Sequence, residues 1–84
     1  MTRLWPEGEG IEVDVDDEGA PLSFTWRGQR RRVQGIAKRW RVDEGWWRSR
    51  VWREYFKLAT ADGLLVLLYR DLLTGDWRLQ RLYD

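Results

Sequence analysis

The sequence predicts a small all-β domain, about six antiparallel strands forming a twisted sheet or an incomplete barrel. Three observations predict it. Apolar and polar residues alternate strictly in Ile11-Glu12-Val13-Asp14-Val15 and again from Leu22 to Trp26, the period of a half-buried strand. Turn-forming clusters recur at short intervals, at 16–21, 27–29, 62–63 and 74–75. The apolar run Leu64–Tyr69 has the length of a strand rather than of a helix. With 84 residues there is room for one core, so residues 1–84 form a single domain.

Taken in order, residues 1–10 form an irregular lead-in, because Pro6, Gly8 and Gly10 interrupt regular structure. The first strand covers 11–15 and the second 22–26. Arg27-Gly28-Gln29 is a tight hairpin turn in which glycine supplies a positive φ. The return strand starts near Arg30 and runs to Val42, where Asp43-Glu44-Gly45 ends it. Its apolar parity changes from odd at Val33 to even at Ile36, Trp40 and Val42, which places a β-bulge at Gly35. Residues 46–60 are ambiguous. Val51, Trp52, Tyr55, Phe56 and Ala59 fit helical spacing, and a short helix within 46–58 is the alternative for that segment. Trp52, Phe56, Leu58 and Thr60 share one strand face, and the Asp62-Gly63 turn that follows favours a meander of strands at about 50–60, 64–70 and 76–83. The middle strand is apolar on both faces and is therefore expected to be buried on both.

Composition excludes several chemistries. The chain has neither Cys nor His, hence no disulfide, no Cys/His zinc site and no Ser–His or Cys–His catalytic pair. Asp14, Asp16, Asp17 and Glu18 lack the glycine and the spaced terminal Glu of a calcium loop, so no metal and no cofactor are expected. No paired-acid motif or phosphate-binding glycine loop is present, and the chain is not expected to be an enzyme. No apolar run approaches the roughly 18–20 residues of a membrane span. The first ten residues have no hydrophobic leader, so the expected location is cytoplasmic.

Charge is distributed unevenly behind a net value of +1. Residues 1–26 carry seven acids and one base, whereas residues 27–57 carry eleven bases and three acids. Thirteen of the fifteen bases are Arg, and seven residues are Trp. Arg pairs phosphate bidentately and Trp offers a flat face to a base. In a domain this small, most of the Trp are also expected in or near the core. The candidate nucleic-acid contacts are Arg27, Arg30, Arg31, Arg32, Arg39, Arg48 and Arg50 on phosphates, with Trp46 or Trp47 stacking on bases. On the strand, Arg30 and Arg32 share one face and Arg31 takes the other. Adjacent Trp46 and Trp47 cannot share a face, so one of them is expected at the surface or at an edge. The bland reading is equally physical: the same Arg residues pair the acidic strand, and the Trp residues fill the barrel.

Beyond these readings, Trp26-Arg27-Gly28, Ala37-Lys38-Arg39-Trp40, Trp46-Trp47-Arg48 and Glu54-Tyr55-Phe56, followed by Asp62-Gly63, Tyr69-Arg70-Asp71, Thr74-Gly75-Asp76-Trp77 and Leu82-Tyr83-Asp84, form one pattern. It resembles an uncharacterised bacterial domain found at the C-terminal end of ImuB-like proteins, relatives of Y-family translesion polymerases that have lost catalysis, and in short stand-alone proteins. The resemblance covers residues from about 22 to 84 and implies a non-catalytic accessory role in DNA damage tolerance. It carries no functional residue with it. The chain starts at Met1 with no polymerase body, which on this resemblance implies a separate subunit. The expected partners are nucleic acid, with single-stranded DNA preferred, or alternatively a polymerase-like or recombinase-like repair protein. Open sheet edges and the opposed charges of the acidic N-terminal and basic central segments also suit a homodimer.

Overall fold

The computed structural model describes residues 2–46 and 49–83. It is all-β: six antiparallel strands and, among the described residues, no helix. The strands are β1 (Arg3–Val15), β2 (Pro21–Trp26), β3 (Gln29–Trp46), β4 (Ser49–Thr60), β5 (Leu65–Asp71) and β6 (Trp77–Tyr83). Each pairs with the next, and β6 pairs back onto β1, which closes the ring. The expected open edges are therefore largely consumed. The ring is irregular, however. β2 pairs with β3 only as far as Arg32, and β5 pairs with β4 only from Arg53 onward. The far ends of β3 and β4 continue as a two-stranded ribbon, paired through Trp46 and Ser49.

The core lies inside the ring. Phe24, Trp26, Phe56, Leu58, Val66, Leu68, Leu79 and Leu82 are buried there, with Trp5, Ile11, Val13, Val33 and Trp77 packed against them. Trp26 is buried, and Trp5, Trp40, Trp52 and Trp77 are half-buried. β5 is buried on both faces, from Val66 to Tyr69, as its apolar run requires. The β2–β3 turn has Arg27 at φ 51° and Gly28 at φ 77°, the two left-handed residues of a type I′ hairpin.

Three expectations need correction. First, residues 3–10 are strand, not lead-in. Between Leu4 and Glu9 the register on β6 advances only from Arg81 to Leu79. This wide bulge accommodates Pro6, which has no N–H to contribute. It also brings Glu7 and Gly8 onto Tyr69, whose hydroxyl donates to the Glu7 carbonyl at 2.7 Å. Second, β3 runs to Trp46 rather than Val42, because Asp43 and Glu44 pair with Trp52 and Val51 across the ribbon. The alternative helix within 46–58 is absent from its described part, where Trp52, Glu54, Phe56 and Leu58 alternate on β4. Third, the expected bulge between Val33 and Gly35 is joined by a second between Ile36 and Lys38. That second shift separates Ile36, opposite the inward Leu58, from Trp40 and Val42, which face outward.

Gly8 is irreplaceable in this arrangement. Its φ is +79°, and an added Cβ would meet the Arg78 Cβ at 2.7 Å and the Tyr69 ring at 3.0 Å. A Cβ on Gly10 meets nothing within 4 Å. Gly8→Ala is expected to cost at least about 2 kcal/mol in urea unfolding. Gly10→Ala leaves stability unchanged or raises it by about 0.5 kcal/mol.

Candidate nucleic-acid interface

The β2–β3 hairpin divides its arginines. Arg30 and Arg32 stand on the outside, and Arg31, opposite Phe24, turns to the barrel's end. Arg30 is 69% exposed and bonds Asp14 at 3.0 Å and Ser23 Oγ at 3.2 Å. Arg31 is only 17% exposed, is ion-paired with Asp62 and lies 5.8 Å from the Trp26 ring centre. It is thus a plug rather than a surface contact. The Asp62 carboxyl is held below the usual range by the Thr60 hydroxyl and, against partial desolvation, by Arg31. Arg27 is exposed, with its guanidinium 4.8 Å above Trp26. Arg32 is exposed and has no ion pair with a described carboxylate.

The inward-facing side of the ribbon is organised around Glu54, a residue to which the sequence assigned no part in a site. Arg39 Nε and Arg41 Nε both donate to its Oε2 at 3.1 Å, and Arg39 Nη2 donates to Oε1 at 3.3 Å. Further out, Arg50 makes a two-pronged pair with Asp43 at 3.1 and 3.0 Å and covers the Trp52 ring at 4.6 Å. Arg39 and Arg50 are therefore already committed to carboxylates. Trp46 ends β3, while Trp47 and Arg48 lie outside the described residues, so the structure does not place the Trp46–Trp47 pair.

The opposite face of the sheet brings together residues that the sequence reading missed. Trp40, Tyr55, Tyr69 and Arg78 occupy one cross-strand row on β3, β4, β5 and β6. Trp40 and Tyr55 stack at 5.2 Å with their planes 8° apart, and Tyr55 meets Tyr69 at 5.4 Å. The cations surround this row. Lys38 Nζ is 5.1 Å from the Trp40 ring centre, the Arg53 guanidinium is 4.4 Å from that of Tyr69, and Lys57 Nζ is 4.9 Å from that of Tyr83. Arg53 also donates to the Tyr55 hydroxyl at 3.3 Å. Burial raises the Tyr69 pKa against the opposing pull of Arg53 and Arg78, so its hydroxyl stays protonated and keeps donating to Glu7. The one signal for this row was parity: Trp40, Val42 and Lys38 share even numbers, and a bulge after Ile36 puts them outside.

Strands β2 to β6 and most of β1 fall within a family match. The family described as Domain of unknown function (DUF6504) matches residues 7–84. This chain belongs to that family. The DUF6504 match begins at Glu7, the residue whose carbonyl receives the Tyr69 hydroxyl, and so includes the segment of β1 that closes over the aromatic row. No curated protein and no solved structure matches the chain. Among the described residues of this DUF6504 domain no cluster of three or more acids is placed to hold a metal ion, and no helix is long and apolar enough to cross a membrane.

Glu54 yields a pH prediction. Burial pushes its carboxyl upward, but the hydrogen bonds and charges of Arg39 and Arg41 outweigh that and hold it below the ordinary value of 4.5. A depressed folded-state pKa contributes stability above the ordinary value, and that stability is lost as pH falls through the folded-state value. Glu54→Gln is expected to lower stability by about 1–3 kcal/mol at pH 7. Urea midpoints across the acid range should show the gap to wild type closing below about pH 4.5.

Proposed function

We propose that this domain is a non-catalytic accessory module that binds nucleic acid through the outer face of β3–β6. One observation carries the reading. Lys38, Arg53, Lys57, Arg78 and Arg81 converge on that face, and none is ion-paired with a described carboxylate, whereas Arg30, Arg31, Arg39, Arg41 and Arg50 are. A cation without a carboxylate partner is available to a phosphate, and several such cations on one sheet face suit a polyanion better than a single anion. Arg27 and Arg32 extend the same charge at the hairpin. The absence of Cys and His from the chain favours binding over catalysis. The resemblance of residues 22–84 to the C-terminal domain of ImuB-like proteins supports a setting in DNA repair and translesion synthesis.

The test is the anisotropy of a labelled oligonucleotide titrated with the protein at two salt concentrations. Four neutralised phosphates on a single strand predict an affinity loss of about 50-fold between about 50 and 200 mM salt. Replacing Lys57 and Arg81 together by Gln should lower the slope of log affinity against log salt by about 1.4. Equal affinities at both salts, or no binding at the lower one, would remove the reading.

A second reading, a protein-interaction or homodimerisation module, is favoured by a different observation. Beyond Arg32, β3 has no neighbour on its second edge among the described residues, and such an edge can accept a strand from another chain. Light scattering during gel filtration decides the homodimer form of this reading. A dimer mass supports it, and a monomer at every concentration removes it.

A further inference from the structure

The aromatic row is closed at one end and open at the other. At the closed end Tyr69 is 1% exposed, covered by Arg53, by Gly8 and by the bond from its hydroxyl to Glu7. At the open end Trp40 is half-buried at the ribbon edge, with no strand beyond β3 there among the described residues. One ring face of Trp40 is taken by Tyr55, in near-parallel stacking at 8°. The exposed Lys38 side chain also approaches the Trp40 ring, with its ammonium 5.1 Å from the ring centre.

We propose that this open end is a stacking site for one unpaired base of single-stranded nucleic acid, which would continue the Trp40–Tyr55 stack. The proposal rests on the nucleic-acid reading above and names where, and in what form, the ligand is held. A flat ring displaces an ammonium from a Trp face without breaking a hydrogen bond. The freed Lys38 side chain then sits beside the entering nucleotide as a phosphate partner. Lys38 is paired in register with Lys57, one row away from Trp40 and Tyr55, about 7 Å along the strands. Arg53 lies about as far on the other side. Cations therefore flank the stacking position in both directions along the chain of a bound strand. A duplex keeps its base faces inside its own stack and cannot use Trp40, so the site discriminates strandedness rather than sequence.

The experiment uses oligo-dU and oligo-rU carrying a central 2-aminopurine, with a duplex of equal length alongside. For wild type, 2-aminopurine emission should be quenched on binding of the single strands and unchanged on binding of the duplex. Trp40→Leu should weaken single-strand binding about 10- to 100-fold and abolish the quenching, leave duplex affinity within about twofold, and be largely rescued in Trp40→Phe. Urea unfolding of each variant checks that the barrel is intact, and the wild-type quenching needs no variant at all. A loss on both oligonucleotides assigns the site to the base alone; a loss on one assigns it to that sugar as well. If wild type binds with a salt slope but shows no quenching, or if Trp40→Leu binds single strands as wild type does, the stacking site is overturned while the electrostatic reading stands. If wild type binds no oligonucleotide, the reading beneath it has failed.

Discussion

The register shift between Ile36 and Lys38 decides the rest of this molecule. Side chains on a strand alternate with a period of two, so one extra residue exchanges the faces of everything after it. β3 enters the ring with Val33 inward, passes one bulge before Gly35 and a second before Lys38. After the second shift Arg39 and Arg41 point to the concave side and Trp40 to the convex side. Without it the two arginines would face solvent, and Trp40 would be pressed toward the Glu54 carboxylate. The bulges also bend the strand, which lets an 18-residue β3 serve both the ring and the ribbon that leaves it.

Once the faces are set, electrostatics sorts the arginines. Four on the concave side and at the barrel ends find carboxylates, where Arg39 and Arg41 share Glu54, Arg31 takes Asp62 and Arg50 takes Asp43, whereas Arg70, in register with Glu54, lies instead against the Trp77 ring. Glu54 matters most among these because it is 9% exposed, and a buried carboxylate left with one partner or none is costly. The exposed pairs Arg30–Asp14 and Arg50–Asp43 are screened by solvent and add little to stability. Their consequence is for recognition: they cancel charge where the primary sequence looks most basic. On the convex side the cations stand among aromatic rings, where Arg53, Lys38 and Lys57 lie over π faces.

The N-terminal strand completes that surface from the other end. The wide bulge between Leu4 and Glu9 lays Glu7 and Gly8 over Tyr69, which ends the aromatic row with a hydrogen bond and a close backbone approach. The same strand supplies Glu9 as acceptor for the Trp26 indole at 3.0 Å and Ile11 and Val13 to the core. Closing the ring and capping the row are thus one event. This is why a glycine able to hold a positive φ is required at position 8.

By itself the sequence determined the fold class, the six strands, the hairpin at Arg27-Gly28, the double burial of β5 and the bulge at Gly35. All of these are local: alternation, turn residues and short apolar runs act over a few positions. It also located the basic segment, and the opposite faces of Arg30 and Arg31. Only the tertiary structure decided which of those arginines remain available, because Asp62 and Arg31 are 31 residues apart and no local pattern reports such a pair. The same holds for the strand character of residues 3–10, where Pro6 and Gly8 read as breakers until β6 is beside them. The Trp40–Tyr55–Tyr69 row was hidden for a related reason. Its members lie on three strands, and their alignment depends on a bulge at Ala37 that leaves no glycine to mark it.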